Sequence, residues 1–145
     1  MDNNNTNAAI VLANRDDMAD GQVQHYFDTT TAEGKFALFN ALQTENKVDA
    51  HLGEPLKLVN VVGQAVEVAD ANTGEINKSI RVILIGADGE QWAATSPALA
   101  KSINTLFSIF GTPDTWASPV PVKVIERKSR NGYKYFTLVP VADGE

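Results

Sequence analysis

The sequence predicts a mainly-β domain with added helices: a five-stranded Greek-key barrel, one helix between its third and fourth strands, and an extra helix in front. Three observations carry that expectation. Three β-rich runs are followed by a well-punctuated helix and then two further β-rich runs. Asp-Gly and Asn-Gly pairs stand between apolar runs at two of the junctions, the strongest short hairpin signal a sequence offers. The chain has 145 residues and 43 % hydrophobic content, enough for one domain with a real core. With no cysteine, neither disulfides nor a cysteine-based zinc site can supplement that core.

Residues 1–21 are rich in Asn, Asp and Ala without sustained periodicity and are expected to be a disordered acidic arm. A single domain is expected over 22–141. Its leading helix is placed at about 31–43, where Phe36, Phe39 and Leu42 fall on one helical face and Thr30 with Glu33 has capping-box spacing.

Pro55 ends the preceding segment, and the barrel is expected from about 56 to 141. Leu56 to Val68, dense in Val, reads as a long bent strand with Gly63 marking a bulge or a barrel bend. Asp70 to Glu75 is a turn, Ser79 to Ile85 the second strand, and Ala87-Asp-Gly-Glu a hairpin leading into a short third strand, Glu90 to Ala94. Ser96-Pro97 is an N-cap and first-turn pair. Leu99, Ile103, Leu106, Phe107 and Phe110 then repeat at helical spacing until Gly111 and Pro113 stop the helix. Val120 to Arg127 and Tyr133 to Val141 are the last two strands, joined through Asn131-Gly132 read as a two-residue type I′ turn. Residues 142–145 are a short acidic tail. This element order is that of the oligonucleotide/oligosaccharide-binding (OB) fold, whose ligands cross its second and third strands and the loops joining strands 1–2 and 4–5.

A net charge of −6 looks unfavourable for nucleic acid, but the cations are concentrated. Five of the twelve lie between Lys123 and Lys134 with Glu126 as the only acid there, so this window carries +4 and the rest of the chain −10. The same window is the loop between the fourth and fifth barrel strands. Single-strand binders combine cations for phosphates with planar side chains for bases. Counting outward from a two-residue turn pairs Arg130 with Tyr133 and Lys128 with Tyr135 on one side, and Arg127 with Phe136 on the other, where Phe136 reads as core. Lys78 and Arg81 on the second strand and Trp92 on the third complete the candidates, with Lys134 on the hairpin. Each also has a plain structural reading: Trp92 as a core residue, Lys78 and Arg81 as the wet side of a strand, and Trp116 as a lid over one barrel end.

Catalysis has little support. His25 and His51 lie outside the barrel without ligand partners at metal spacing. Asp16, Asp17 and Asp20 sit in the expected arm, and Gly86 to Gly89 is a hairpin rather than a phosphate loop. No enzyme activity, metal or cofactor is expected. No apolar run approaches the roughly 20 residues of a membrane helix, and a cytoplasmic protein is expected.

From Leu56 to Val141 the chain resembles the single-stranded DNA-binding proteins of tailed bacteriophages and related mobile elements. The resemblance rests on Asn72-Thr-Gly-Glu75, Ile83-Leu-Ile-Gly-Ala-Asp-Gly89, Thr95-Ser-Pro-Ala-Leu99, Phe110-Gly-Thr-Pro-Asp-Thr-Trp116 and the basic hairpin ending Tyr133-Lys-Tyr-Phe136. It implies a viral protein of the host-cell cytoplasm that coats and protects single-stranded DNA in replication or recombination, with replication proteins as possible partners. The nucleic-acid-binding residues expected are Lys78, Arg81, Trp92, Arg127, Lys128, Arg130, Tyr133, Lys134 and Tyr135. Two other readings fit the same residues: an RNA-binding OB-type protein, and a non-enzymatic adaptor or structural protein of a phage or replication complex.

Overall fold

The computed structural model describes residues 18–141. In chain order the elements are β1 (Val23–Gln24), α1 (Ala32–Leu42), a 3-10 turn (Val48–His51), β2 (Leu56–Ala69), β3 (Ile76–Gly86), β4 (Gln91–Thr95), α2 (Pro97–Phe110), a second 3-10 turn (Pro113–Thr115), β5 (Val120–Lys128) and β6 (Lys134–Pro140). Every strand pairing is antiparallel, in the order β4-β3-β2-β5-β6 with β1 added to β2.

The sheet is open. A closed five-stranded barrel would need β4 to pair with β6, and they do not pair. In place of that ladder α2 lies against the edge of β6. The Leu138 N–H donates to the Ser102 hydroxyl at 2.8 Å, and the hydroxyl donates back to the Leu138 carbonyl at 3.2 Å. An exposed edge is thus partly satisfied by a helix instead of a strand.

Strand alternation puts successive residues of β2 and β3 on opposite faces, and both faces are covered. Val61, Val82, Leu84 and Trp92 point into the main core, where Leu99, Ile103 and Phe107 of α2 meet them. Val62, Ile83 and Ala93 point the other way, onto Ala41, Leu38 and Leu42 of α1. Strands buried on both faces read as near-continuous apolar runs, as Val61-Val62 and Val82 to Ile85 do at the centre of β2 and β3.

Helix α2 has the expected ends. The Ser96 hydroxyl accepts from the Leu99 N–H at 3.1 Å, Pro97 opens the first turn, and Gly111 closes the helix at φ +83°. Phe110, placed on the buried face by its spacing, is instead exposed in the last turn of the helix.

Helix α1 is capped by Thr31, whose hydroxyl accepts from the Gly34 N–H, rather than by Thr30. Its orientation is a larger correction. Phe36 and Phe39 are 67 % and 61 % exposed, while Leu38, Ala41 and Leu42 face the sheet. At its start Gly34 packs against the preceding loop, where a Cβ would lie 1.8 Å from the Asp28 carbonyl oxygen.

Three further expectations change. The register shift of β2 is at Leu58/Asn60, not at Gly63, which stays in register between Val82 and Gln24. Of the arm expected over 1–21, Met18 is 5 % exposed within the core and the Gly21 N–H donates to the Ala65 carbonyl at 2.8 Å, so these residues are docked. The remainder of the arm, 1–17, and the tail at 142–145 lie outside the described residues. Finally, both Asx-Gly hairpins have three-residue loops. The Ser129 N–H donates to the Tyr133 carbonyl and the Gly132 N–H to the Ser129 carbonyl, with Gly132 at φ +85°. Gly86, Glu90 and Gly89 repeat that pattern. This is a type I turn closed by a left-handed glycine, in place of the two-residue type I′ turn. No helix among the described residues is long and apolar enough to cross a membrane.

Candidate nucleic-acid interface

The extra loop residue moves the β5–β6 register by one, which reassigns every facing pair. Lys128 faces Lys134, Arg127 faces Tyr135 and Glu126 faces Phe136. The face that carries Val124 and Leu138 into the core continues outward as Glu126, Phe136, Lys128 and Lys134. The opposite face carries Arg127 and Tyr135. The cations still lie on both faces of the projecting hairpin, but Tyr135 now shares a face with Arg127 instead of Lys128, and Phe136 one with Lys128 instead of Arg127. Arg127, Lys128, Arg130 and Lys134 are all exposed. Tyr133 is 72 % and Tyr135 38 % exposed, and the Tyr133 N–H is tied to the Ser129 hydroxyl at 3.1 Å.

Trp92 does not belong to this surface. It is 2 % exposed in the main core, its indole N–H donates to Glu90 at 3.0 Å, and the imidazole of His51 stacks on it at 4.6 Å with planes 4° apart. His51 is held in turn, one ring nitrogen 2.9 Å from Asn46 Oδ1 and the other 3.1 Å from Glu54 Oε1. The face a base would need is occupied by His51, so the expectation of Trp92 as a stacking platform is corrected.

Arg81 is likewise committed elsewhere. Its guanidinium donates to the Leu42 carbonyl at 3.1 Å and the Thr44 carbonyl at 2.8 Å. Helix α1 has no basic residue in its own last turn, and Arg81 supplies the positive charge that the carbonyl end of a helix favours. These two bonds make Arg81 a latch between β3 and the end of α1, while it also lines the groove described next. Lys78 is exposed but pairs across the ladder with Glu67. Because β5 runs antiparallel to β2 from Leu56↔Val122, the basic hairpin extends past one end of β2, and Lys78 lies toward the other.

Beside the hairpin, where β4 and β6 fail to pair, lies a groove of about 560 Å³ lined by Thr44, Glu45, Lys47, Asp49, Arg81, Ala93, Ala94, Thr95 and Phe136. Phe136 is half-buried and packs against the main core while also lining the groove, so its reading as core is only half of its environment. Lys47, Glu45 and Asp49 come from the segment between α1 and β2, tethered to the edge of β4 by the Ala93 N–H donating to the Asn46 carbonyl at 2.9 Å. Nothing in residues 44–50 marks them as lining a site, since a long-range backbone bridge brings them there.

Trp116 behaves as the lid that its position suggests: its ring lies 6.0 Å from Phe107, and its N–H donates to the Phe110 and Gly111 carbonyls at 3.0 Å. Close by, burial and the charge of Asp114 push the Tyr26 phenol up to about 12. At the β2–β3 turn the Asn72 and Thr73 N–H groups hold Asp70 below the usual carboxylate range. Among the described residues no group of three or more His, Asp or Glu is placed to hold a metal ion.

No curated protein and no solved structure matches the chain. A family model described as phage single-stranded DNA-binding protein, of the Phi29 type, matches residues 17–139, a span that takes in both helices, the open seam and the basic hairpin. The chain belongs to the Phi29-type phage single-stranded DNA-binding protein family.

Proposed function

We propose that the chain coats single-stranded DNA without strong sequence preference, as a binding protein and not an enzyme, with the β5–β6 hairpin as its main contact. The observation that carries this is the exposure, on one projecting hairpin, of Arg127, Lys128, Arg130 and Lys134 together with Tyr133 and Tyr135. The cations meet phosphates and the phenol rings stack on bases, each stack contributing about 1–3 kcal/mol. Protection of replicating or recombining strands from nucleases follows from coating, and an OB-type strand path over the sheet leads from the hairpin toward Lys78.

Four phosphate contacts give log K a slope of about −3 against log salt, from about −0.7 per contact on single strands. The test is a binding panel of single-stranded DNA, single-stranded RNA and duplex at two salt concentrations. The reading expects single-stranded DNA to bind tightest and to weaken with that slope. Tighter binding to RNA would make the protein an RNA binder. Equal affinity for single strands and duplex, or none for any of the three, would favour an adaptor whose hairpin meets an acidic protein.

A further inference from the structure

The groove at the open β4–β6 seam has a chemistry that phosphate binding does not explain. Resting on the reading that the chain binds single-stranded DNA, we propose that this groove takes an unstacked base, and that it favours bases with an exocyclic amine over thymine.

Its volume of about 560 Å³ falls within the roughly 300–1,000 Å³ typical of sites that enclose a small ligand. Phe136 supplies an aromatic surface, one ladder pair in from Arg127 and Tyr135. A strand held through Lys128 and Lys134, which share the face of the hairpin with Phe136, thus meets the groove next.

The walls then select. Glu45 and Asp49 are exposed carboxylates, acceptors without a proton to give. They repel a phosphate, and they accept from the amine of cytosine, adenine or guanine, whereas thymine presents its O4 oxygen where cytosine has its amine. Thr95 adds the complementary groups. The Ala93 N–H points away from β3, to Asn46, so two residues further along β4 the N–H and carbonyl of Thr95 face the same edge. No described strand pairs with that edge. A base edge there finds carboxylates for its amine and a backbone N–H for its ring nitrogen. Lys47 lines the same groove and is exposed to meet the phosphate of the same nucleotide, while Arg81 gives two of its N–H donors to the Leu42 and Thr44 carbonyls.

The test uses the full chain, an oligo-dT of about 15 nucleotides, near the upper end of single-domain site sizes, and a copy with every third thymine replaced by cytosine, both followed by fluorescence anisotropy. The cytosine-bearing strand is expected to bind about fivefold tighter, as befits one amine contact in an open groove. In Glu45→Gln/Asp49→Asn the preference should vanish while oligo-dT binds as well as before or better, since two acids near the phosphates are gone. Phe136→Leu should weaken both strands. A change in charge or folding alone moves both strands together and leaves their ratio intact. Equal binding of the two strands by the wild type, an unchanged ratio in the double variant, or no loss in Phe136→Leu would each overturn the groove while leaving single-strand binding standing. If neither strand binds at low salt, the functional reading itself falls and the groove with it.

Discussion

Replacing Arg81 by Leu tests whether its guanidinium only latches the end of α1 or also reaches a phosphate with its remaining N–H donors. The guanidinium donates to two carbonyls at the end of α1, at 3.1 and 2.8 Å, from a partly buried position. Hydrogen bonds from a charged donor contribute about 1.5–3 kcal/mol each, and water reaching the exposed side recovers part of that, so the loss is about 2–3 kcal/mol. For a domain of this size that lowers Tm by about 8 °C. Arg81→Lys keeps the charge but loses the fork, and should lose about half as much. Thermal unfolding followed by far-UV circular dichroism reads the stability. Salt titration of oligo-dT binding, well below Tm, reads the ion count. If Arg81 is the latch, Tm falls and the salt slope stays where it was. If it also contacts a phosphate, the slope becomes shallower by about 0.7. That second result would refute the reasoning.

Gly34→Ala should destabilise by about 2–3 kcal/mol in urea unfolding, although alanine is favoured over glycine inside a helix by about 1 kcal/mol, because the new methyl would sit 1.8 Å from a backbone oxygen that cannot yield. Trp92→Ala should cost about 3–5 kcal/mol by opening the core, whereas Trp92→Phe should fold and bind single-stranded DNA as the wild type does; a large loss of affinity in the phenylalanine variant would restore Trp92 to the interface. The Tyr26 phenol is raised from its ordinary 10 to about 12, so the native state holds a proton that the unfolded chain releases. Stability is therefore fully present below pH 10 and declines between pH 10 and 12. Melting curves across that range should show the decline, and Tyr26→Phe should flatten it.

Much of the architecture was legible from local chemistry. Ser96, Pro97 and Gly111 bound α2 as their capping preferences dictate, because each acts on backbone groups within a few residues of itself. The basic hairpin was legible for a similar reason: charge counted along a window stays together when that window folds on itself. The hairpin's facing pairs were not. Asn-Gly serves a two-residue turn and, one residue longer, a type I turn with a glycine at positive φ, and a single added residue exchanges the faces of every side chain beyond it. Phe36 and Phe39 were misplaced because periodicity states which residues share a face, not which face meets the sheet.

The sequence by itself determined the order of the five longer strands and two helices, though not the short β1, together with the ends of α2 and the segregation of positive charge, all properties carried by near neighbours. Only the tertiary structure decided that Trp92 lies beneath His51, that Arg81 holds the end of α1, and that β4 and β6 leave a groove between them. Each of these depends on groups far apart in the chain meeting at a distance of a few ångströms, and whether a ring or a guanidinium is free for a ligand is settled by which distant partner reaches it first.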